Sequence, residues 1–142
     1  MKTVEQVLEE KKVKVLSVAP TSSVYDALKL MAERDVGALL VLEGERLAGI
    51  FSERDYARKV ILFGKSSRET QVREIMTEKV LCVPPTATME ECMGLMTDKR
   101  VRHLPVLDAN RVTGVISIGD VVKETIADQR QTIEQLEQYI AG

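Results

Sequence analysis

Gly114-Val115-Ile116-Ser117-Ile118-Gly119-Asp120 is the stretch that decides the fold, because Gly49-Ile50-Phe51-Ser52-Glu53-Arg54-Asp55 carries Gly, Ser and Asp at the same spacing. Each copy reads as an apolar strand that runs into a Ser at a helix start, with an Asp one helical turn later. A hydroxyl and a carboxylate are thereby aimed at one spot.

Working outward, a shift of 65 residues places Val80 on Val15, Pro85 on Pro20, Met96 on Met31, Val101 on Val36, Gly114 on Gly49 and Asp120 on Asp55, with no gap. Leu30/Leu95, Leu39/Leu104, Val41/Val106, Arg46/Arg111 and Ser52/Ser117 are identical under the same shift. Two unrelated hairpins would not hold register across both helices, so the chain is read as an internal duplication.

In the first copy, Val13, Val15 and Val18 suggest a strand ending near Pro20. Ser23 caps a helix with Asp26 reaching back, and Val24, Ala27, Leu28, Met31 and Ala32 form its apolar face. Ala38 to Leu42 and Arg46 to Phe51 flank the turn Glu43-Gly44-Glu45 as a hairpin. A helix then starts at Ser52 with Tyr56, Ala57, Val60 and Ile61 on its inner side. The order is β-α-β-β-α, and it repeats.

Ahead of the first copy, Thr3-Val4-Glu5-Gln6 has the form of a capping box, which predicts a short N-terminal helix. The expected organisation is a first repeat over 1–64 with that helix, a polar linker over 65–71, and a second repeat over 72–142. The fold class is α+β, and two like halves sharing a core imply a pseudo-two-fold axis. The last helix is extended, and Ile133, Leu136, Tyr139 and Ile140 lie on it at helical spacing. Such a stripe suggests a subunit contact, the other reading being that it folds back on its own domain.

At 142 residues the chain is one ordinary domain or two very small ones, each marginal alone. Hydrophobic content of 44%, charged content of 30% and a net charge of -2 describe a soluble globular protein without a basic field for nucleic acid. No signal-peptide core and no run of membrane-spanning length is present in the sequence, so the expected location is cytoplasmic, with no membrane or nucleic-acid partner. Cys82 and Cys92 have neither zinc-ligand spacing nor a disulfide framework, and no metal site is expected. His103 is the single histidine, which is a poor case for a catalytic base or metal ligand. With no nucleophile-base constellation, P-loop or dinucleotide fingerprint, the chain is not expected to be an enzyme.

Paired β-α-β-β-α units that each end in strand-Gly-x-x-Ser-x-x-Asp-helix resemble tandem cystathionine-β-synthase-type (CBS) domains, the Bateman module. The segment Ser23-Val24-Tyr25-Asp26-Ala27-Leu28 shares in the likeness. So do Val36-Gly37-Ala38-Leu39-Leu40-Val41 and Val101-Arg102-His103-Leu104-Pro105-Val106. The resemblance covers nearly the whole chain. It implies a stand-alone regulatory module that binds an adenosine-containing ligand between the repeats. AMP is expected first, then ATP, ADP or NAD(H), with S-adenosylmethionine also in the family's range. It further implies a homodimer and a regulated partner protein that the sequence does not name.

By that resemblance, Ser117 and Asp120 work with Arg102, His103 and the first strand of the first repeat. Ser52 and Asp55 work with Gly37, Ala38 and the segment from Thr77 to Cys82. The adenine slot falls to Leu16, Val36, Leu81 and Val101. The two sites are unequal, with Arg102-His103 against Gly37-Ala38 and Gly119 against Arg54. Phosphate is expected at Arg102 and His103 in one, and Arg54 or Arg58 serves the other. Glu9-Glu10-Lys11-Lys12 is read as a solvated face or loop, the alternative being that Lys11 or Lys12 reaches a phosphate. The chemistry is consistent with this, since a carboxylate accepts both donors of a vicinal diol and a helix N-terminus suits phosphate oxygen. The plainer reading is that Ser-x-x-Asp only caps a helix, as Ser23-x-x-Asp26 and Thr88-x-x-Glu91 are read to do. The competing functions are a ligand-free dimerisation scaffold and a nucleotide hydrolase using Asp55 and Asp120.

Overall fold

The computed structural model describes residues 1–12 and 14–141; Val13, assigned above to the first strand, lies outside them. The chain is α+β and divides into two compact units. One takes Lys14–Leu81 with Ala109–Thr113. The other collects the N-terminal helix, Cys82–Asp108 and the chain from Gly114 onward.

In the unit around the first repeat, β1 (Ser17–Val18) pairs parallel with β2 (Ala38–Glu43), which pairs antiparallel with β3 (Arg46–Ser52). Parallel neighbours need a crossover, and α2 (Val24–Arg34) supplies it. Ser23 caps α2 by accepting from the Asp26 N–H at 3.0 Å, and Asp35 ends it in the left-handed region. Val24, Ala27 and Met31 are the buried face, set against Leu39, Val41 and Phe51 of the sheet; Ala32, expected on that face, is exposed. The segment 65–71 is tied down by Val24 N–H to Thr70 O (2.8 Å), and Val72 N–H to Ser22 O (2.8 Å) follows directly.

After β3 the helix expected from Ser52 forms as α3 (Glu53–Tyr56) and then widens into a π-helical turn over Ala57–Ile61. Val60 is fully buried and Tyr56 half-buried, but Ala57 is exposed and Ile61 is 55% exposed, so the inner side is narrower than its apolar pattern. The i to i+5 bonding turns part of the stripe outward. Gly64, at φ +67, stops this segment.

In the other unit, α1 (Val4–Lys11) carries the expected capping box between Thr3 and Gln6. Its first amides donate outside the helix, Val4 N–H to Ala87 O at 2.8 Å and Glu5 N–H to Pro85 O at 3.0 Å, which satisfies donors that a helix leaves orphaned. Helix α4 (Met89–Lys99), capped by Thr88, buries Met89, Cys92 and Met96. Then come β4 (His103–Asp108), β5 (Arg111–Ser117) and α5 (Ile118–Ala141), 24 residues or about 36 Å long.

The second copy departs from the expected plan at its first strand, which shrinks to one parallel bridge, Val83 to Val106. In the first copy the corresponding pair is Val18 to Val41, and Leu40 N–H adds a bond to Leu16 O at 3.2 Å. Position 105, the counterpart of Leu40, is Pro and has no N–H to donate. A second departure lies at the other end. Gly64 corresponds to Gln129, so the stop that ends the first copy's helix is missing and α5 runs on.

Candidate functional site

β5 delivers Ser117 to the start of α5, and the pair with Asp120 closes on itself. Ser117 N–H and Oγ–H both donate to Asp120 Oδ2, at 2.8 and 3.1 Å, and Asp120 N–H returns to Ser117 Oγ at 3.2 Å. This is a reciprocal helix cap. Ile118 N–H donates to Arg102 O at 2.9 Å, which ties the approach to β4 to the same helix start. A third donor reaches Oδ2 from far away in sequence. Lys11 Nζ lies 2.7 Å from it and also donates to Val115 O at 3.0 Å.

His103 is half-buried beside this group. Burial first, and then the charges of Lys11 and Arg102, hold its imidazole below the usual 6.5, while Asp120 pulls the other way. At neutral pH the His103 imidazole is therefore neutral.

A pH dependence follows from the same shift. The unfolded chain binds a proton at His103 more readily than the folded one, so this contribution to stability is intact above about pH 6.5 and is lost as pH falls toward the folded value. His103→Gln should therefore gain thermal stability relative to the parent as pH is lowered from about 7 to 5. A gap between the two melting temperatures that stays flat across that range would remove the effect.

At the other helix start, Ser52 N–H and Oγ–H donate to Asp55 Oδ2 at 3.0 and 3.1 Å, and Asp55 N–H donates to Ser52 Oγ at 3.2 Å. Glu53 N–H donates to Gly37 O at 3.1 Å, the counterpart of the Ile118 to Arg102 bond. The surroundings differ. Thr77 Oγ1 reaches Asp55 Oδ1 at 3.5 Å, and Lys59, one turn along, lies 3.3 Å from the same oxygen while donating to Ile75 O at 3.1 Å. Both carboxylates are mostly covered, with side chains 15% exposed at Asp120 and 13% at Asp55.

The family model described as the CBS domain matches residues 4–61 and 72–126. The chain belongs to the CBS-domain family. A mitochondrial CBS domain-containing protein of Arabidopsis thaliana is 46% identical over 125 residues, 84% of this chain and 61% of its own length, so this chain spans under two thirds of that relative. The structure of a CBS-domain protein from Burkholderia ambifaria MC40-6 is 53% identical, with a TM-score of 0.86 over 90% of this chain and 96% of its own. At 19% identity and a TM-score of 0.79, the CBS domain pair of MJ0100, solved with 5′-methylthioadenosine and S-adenosyl-L-methionine, shares the fold over 90% of this chain and 98% of its own.

Within the two CBS repeats, the expected site residues sort by compact unit. Ser117, Asp120, Arg102, His103 and Val101 fall in one. Ser52, Asp55, Gly37, Ala38, Arg54, Thr77, Leu81, Leu16 and Val36 fall in the other. Inside the first, Ser117, Asp120 and His103 gather around Lys11. Inside the second, Ser52, Asp55 and Thr77 gather with Lys59, whereas Leu16 and Val36 pack against the core of that unit.

Lys59 was not among the expected site residues, and Lys11 was expected at most as a phosphate contact, not as the partner of Asp120. Lys59 has a local signal, being four residues beyond Asp55 on the same helix. Lys11 has none, since it meets Asp120 across 109 positions.

Gly49 and Gly114 make room for packing. A Cβ on Gly49 would sit 2.7 Å from Thr77 O, and one on Gly114 would sit 2.6 Å from a Leu8 methyl. Cys92 is buried and Cys82 half-buried, and burial pushes both thiols up, away from reactivity. Among the described residues no group of three or more His, Cys, Asp or Glu could hold a metal ion, and no helix is long and apolar enough to cross a membrane.

Proposed function

We propose that this CBS-domain pair is a non-catalytic sensor of adenosine nucleotides. AMP is the first ligand, with ATP, ADP or NAD(H) behind it, and occupancy is relayed to a partner protein in the cytoplasm. The observation that carries this is the duplicated Ser-x-x-Asp helix start, in which each carboxylate is nearly covered yet backed by a lysine. A capped carboxylate keeps lone pairs for a ribose diol, because an ionised Asp has about four acceptor sites. The MJ0100 pair, of like fold, was solved with two adenosine compounds. In this reading Asp120 and Asp55 clamp ribose, and Ser117 and Ser52 shape the helix starts. Arg102 and His103 receive phosphate on one side and Arg54 on the other; base contacts fall to Val101 in one unit and to Leu16, Val36 and Leu81 in the other, where Gly37, Ala38 and Thr77 stand with Ser52 and Asp55.

Thermal unfolding tests this. A ligand at a hundred times its dissociation constant adds about 2.7 kcal/mol of stability, which for a chain of this size is a rise of several degrees. If AMP, ADP, ATP, NAD, NADH and S-adenosylmethionine all leave the midpoint unmoved, the sensor reading fails and the scaffold reading takes its place.

The scaffold reading has an observation of its own, which also supports a homodimer. On α5, Val122, Ile126, Ile133, Leu136 and Ile140 are all exposed, and they follow a three-and-four spacing with Gln129 as the polar member. A contiguous apolar stripe of this kind suits a second copy of the same helix. Leu136→Glu should convert the assembly toward monomer in sedimentation equilibrium, with the melting curve of the monomer little changed. A mass that does not respond would remove α5 as the contact.

A further inference from the structure

Lys11 closes the Asp120 cluster from outside the Ser-x-x-Asp element. Helix α1 is held at both ends: its first amides are bonded to Ala87 and Pro85, and at the Lys11 end Lys12 N–H turns back to Leu8 O at 3.2 Å while Leu8 packs against Gly114. From this fixed stem the ammonium donates to Asp120 Oδ2 at 2.7 Å and to Val115 O at 3.0 Å, with its side chain 30% exposed. Its counterpart in the duplication is Met76, which carries no charge. The cation at Asp55 comes instead from Lys59 on the same helical segment, and meets the opposite carboxylate oxygen from the one that the Ser52 cap uses.

We propose that Lys11 is the residue by which the Asp120 site selects nucleotides over nucleosides, acting as a counterion that the carboxylate yields to a phosphate. This rests on the nucleotide reading above. A ribose diol that donates to both carboxylate oxygens of Asp120 competes with Lys11 at Oδ2, which already accepts from Ser117. A nucleoside offers the displaced ammonium no other anion, so breaking the pair costs affinity. A nucleotide brings a phosphate to the same group, and the four-carbon stem with three rotatable donors lets the ammonium swing between the two acceptors. The charges of Lys11 and Arg102 both act on His103, so the cluster already favours an anion. At Asp55, Lys59 is paired more loosely with its carboxylate, at 3.3 Å against 2.7 Å, so a weaker exchange is expected there.

Titration calorimetry with AMP and adenosine tests this, in an Asp55→Asn background so that one site reports. The parent is expected to prefer AMP. Lys11→Met should lower AMP affinity about ten- to a hundredfold, the range a charge-assisted hydrogen bond supplies, and leave adenosine unchanged or tighter. Lys11→Arg should keep most of the preference, and Lys12→Met, at the exposed neighbour, should keep all of it. Equal losses for AMP and adenosine in Lys11→Met would make Lys11 a structural prop and overturn the proposal, as would the same loss of preference in Lys12→Met. A parent that binds AMP and adenosine equally overturns selection by Lys11 while leaving the nucleotide reading intact. A parent that binds neither overturns both.

Discussion

Asp120→Asn is expected to lower AMP affinity by about two orders of magnitude, which corresponds to roughly 2.7 kcal/mol. The size follows from what the substitution removes. Two ribose hydroxyls donating to a carboxylate make charge-assisted bonds of about 1.5–3 kcal/mol each, and an amide offers one neutral acceptor in their place. The fold should survive, because the amide oxygen can still accept from Ser117 N–H and keep the cap that Asp120 makes at 2.8 Å. The decisive readout is a cycle with 2′-deoxy-AMP: the parent should discriminate strongly against it, and Asp120→Asn should discriminate little. If the variant still prefers the ribonucleotide as much as the parent does, Asp120 is a cap and the ribose clamp lies elsewhere.

Gly49→Ala is expected to lose about 2–3 kcal/mol of stability, and Gly114→Ala clearly less. The two glycines occupy equivalent positions in the repeats, yet they face different obstacles. At Gly49 the added methyl would meet Thr77 O at 2.7 Å, a backbone atom held by a closed pair of bonds, Ile50 N–H to Thr77 O at 3.0 Å and Thr77 N–H to Ile50 O at 2.9 Å. Relief requires breaking that bridge. At Gly114 the methyl meets the end of the Leu8 side chain, which can turn away. Backbone strain plays no part at either residue, since only Gly44 and Gly64 among the described glycines have positive φ. For a chain of this length the Gly49 loss amounts to a fall of about 10 °C in the melting midpoint. Equal midpoints for the two variants would refute the distinction between a rigid and a yielding neighbour.

The helix starts were legible before any coordinates. Thr3, Ser23, Ser52 and Thr88 all have the spacing of caps, and each accepts the amide three residues on. A cap is a bond within one turn, so its spacing is written in consecutive residues. The hairpin of β2 and β3 was legible for the same reason. Its turn residues, Gly44 among them, stand between two apolar runs. Less legible was the loss of the second copy's first strand. Pro105 stands in a segment that carries the family likeness, but its cost shows only in the bond from Leu40 N–H to Leu16 O that its own position cannot make. The outward turn of Ala57 and Ile61 was likewise hidden, because apolar spacing reports a stripe but not how wide the opposing surface is.

From Gly114 to Asp120 and from Gly49 to Asp55, the linear order of residues was enough to establish a duplicated α+β chain, two capped helix starts and the residue types at each. These depend on bonds and periodicities confined to a few positions, and the repeat made each one count twice. Only the three-dimensional path of the chain brought α1 to Asp120 and Thr77 to Asp55. That path gave one carboxylate a lysine from 109 residues away and gave the other a lysine one turn along its own helix. A charge pair across such a separation leaves no periodic trace, because nothing in the spacing of Lys11 or of Asp120 depends on the other until the chain has closed.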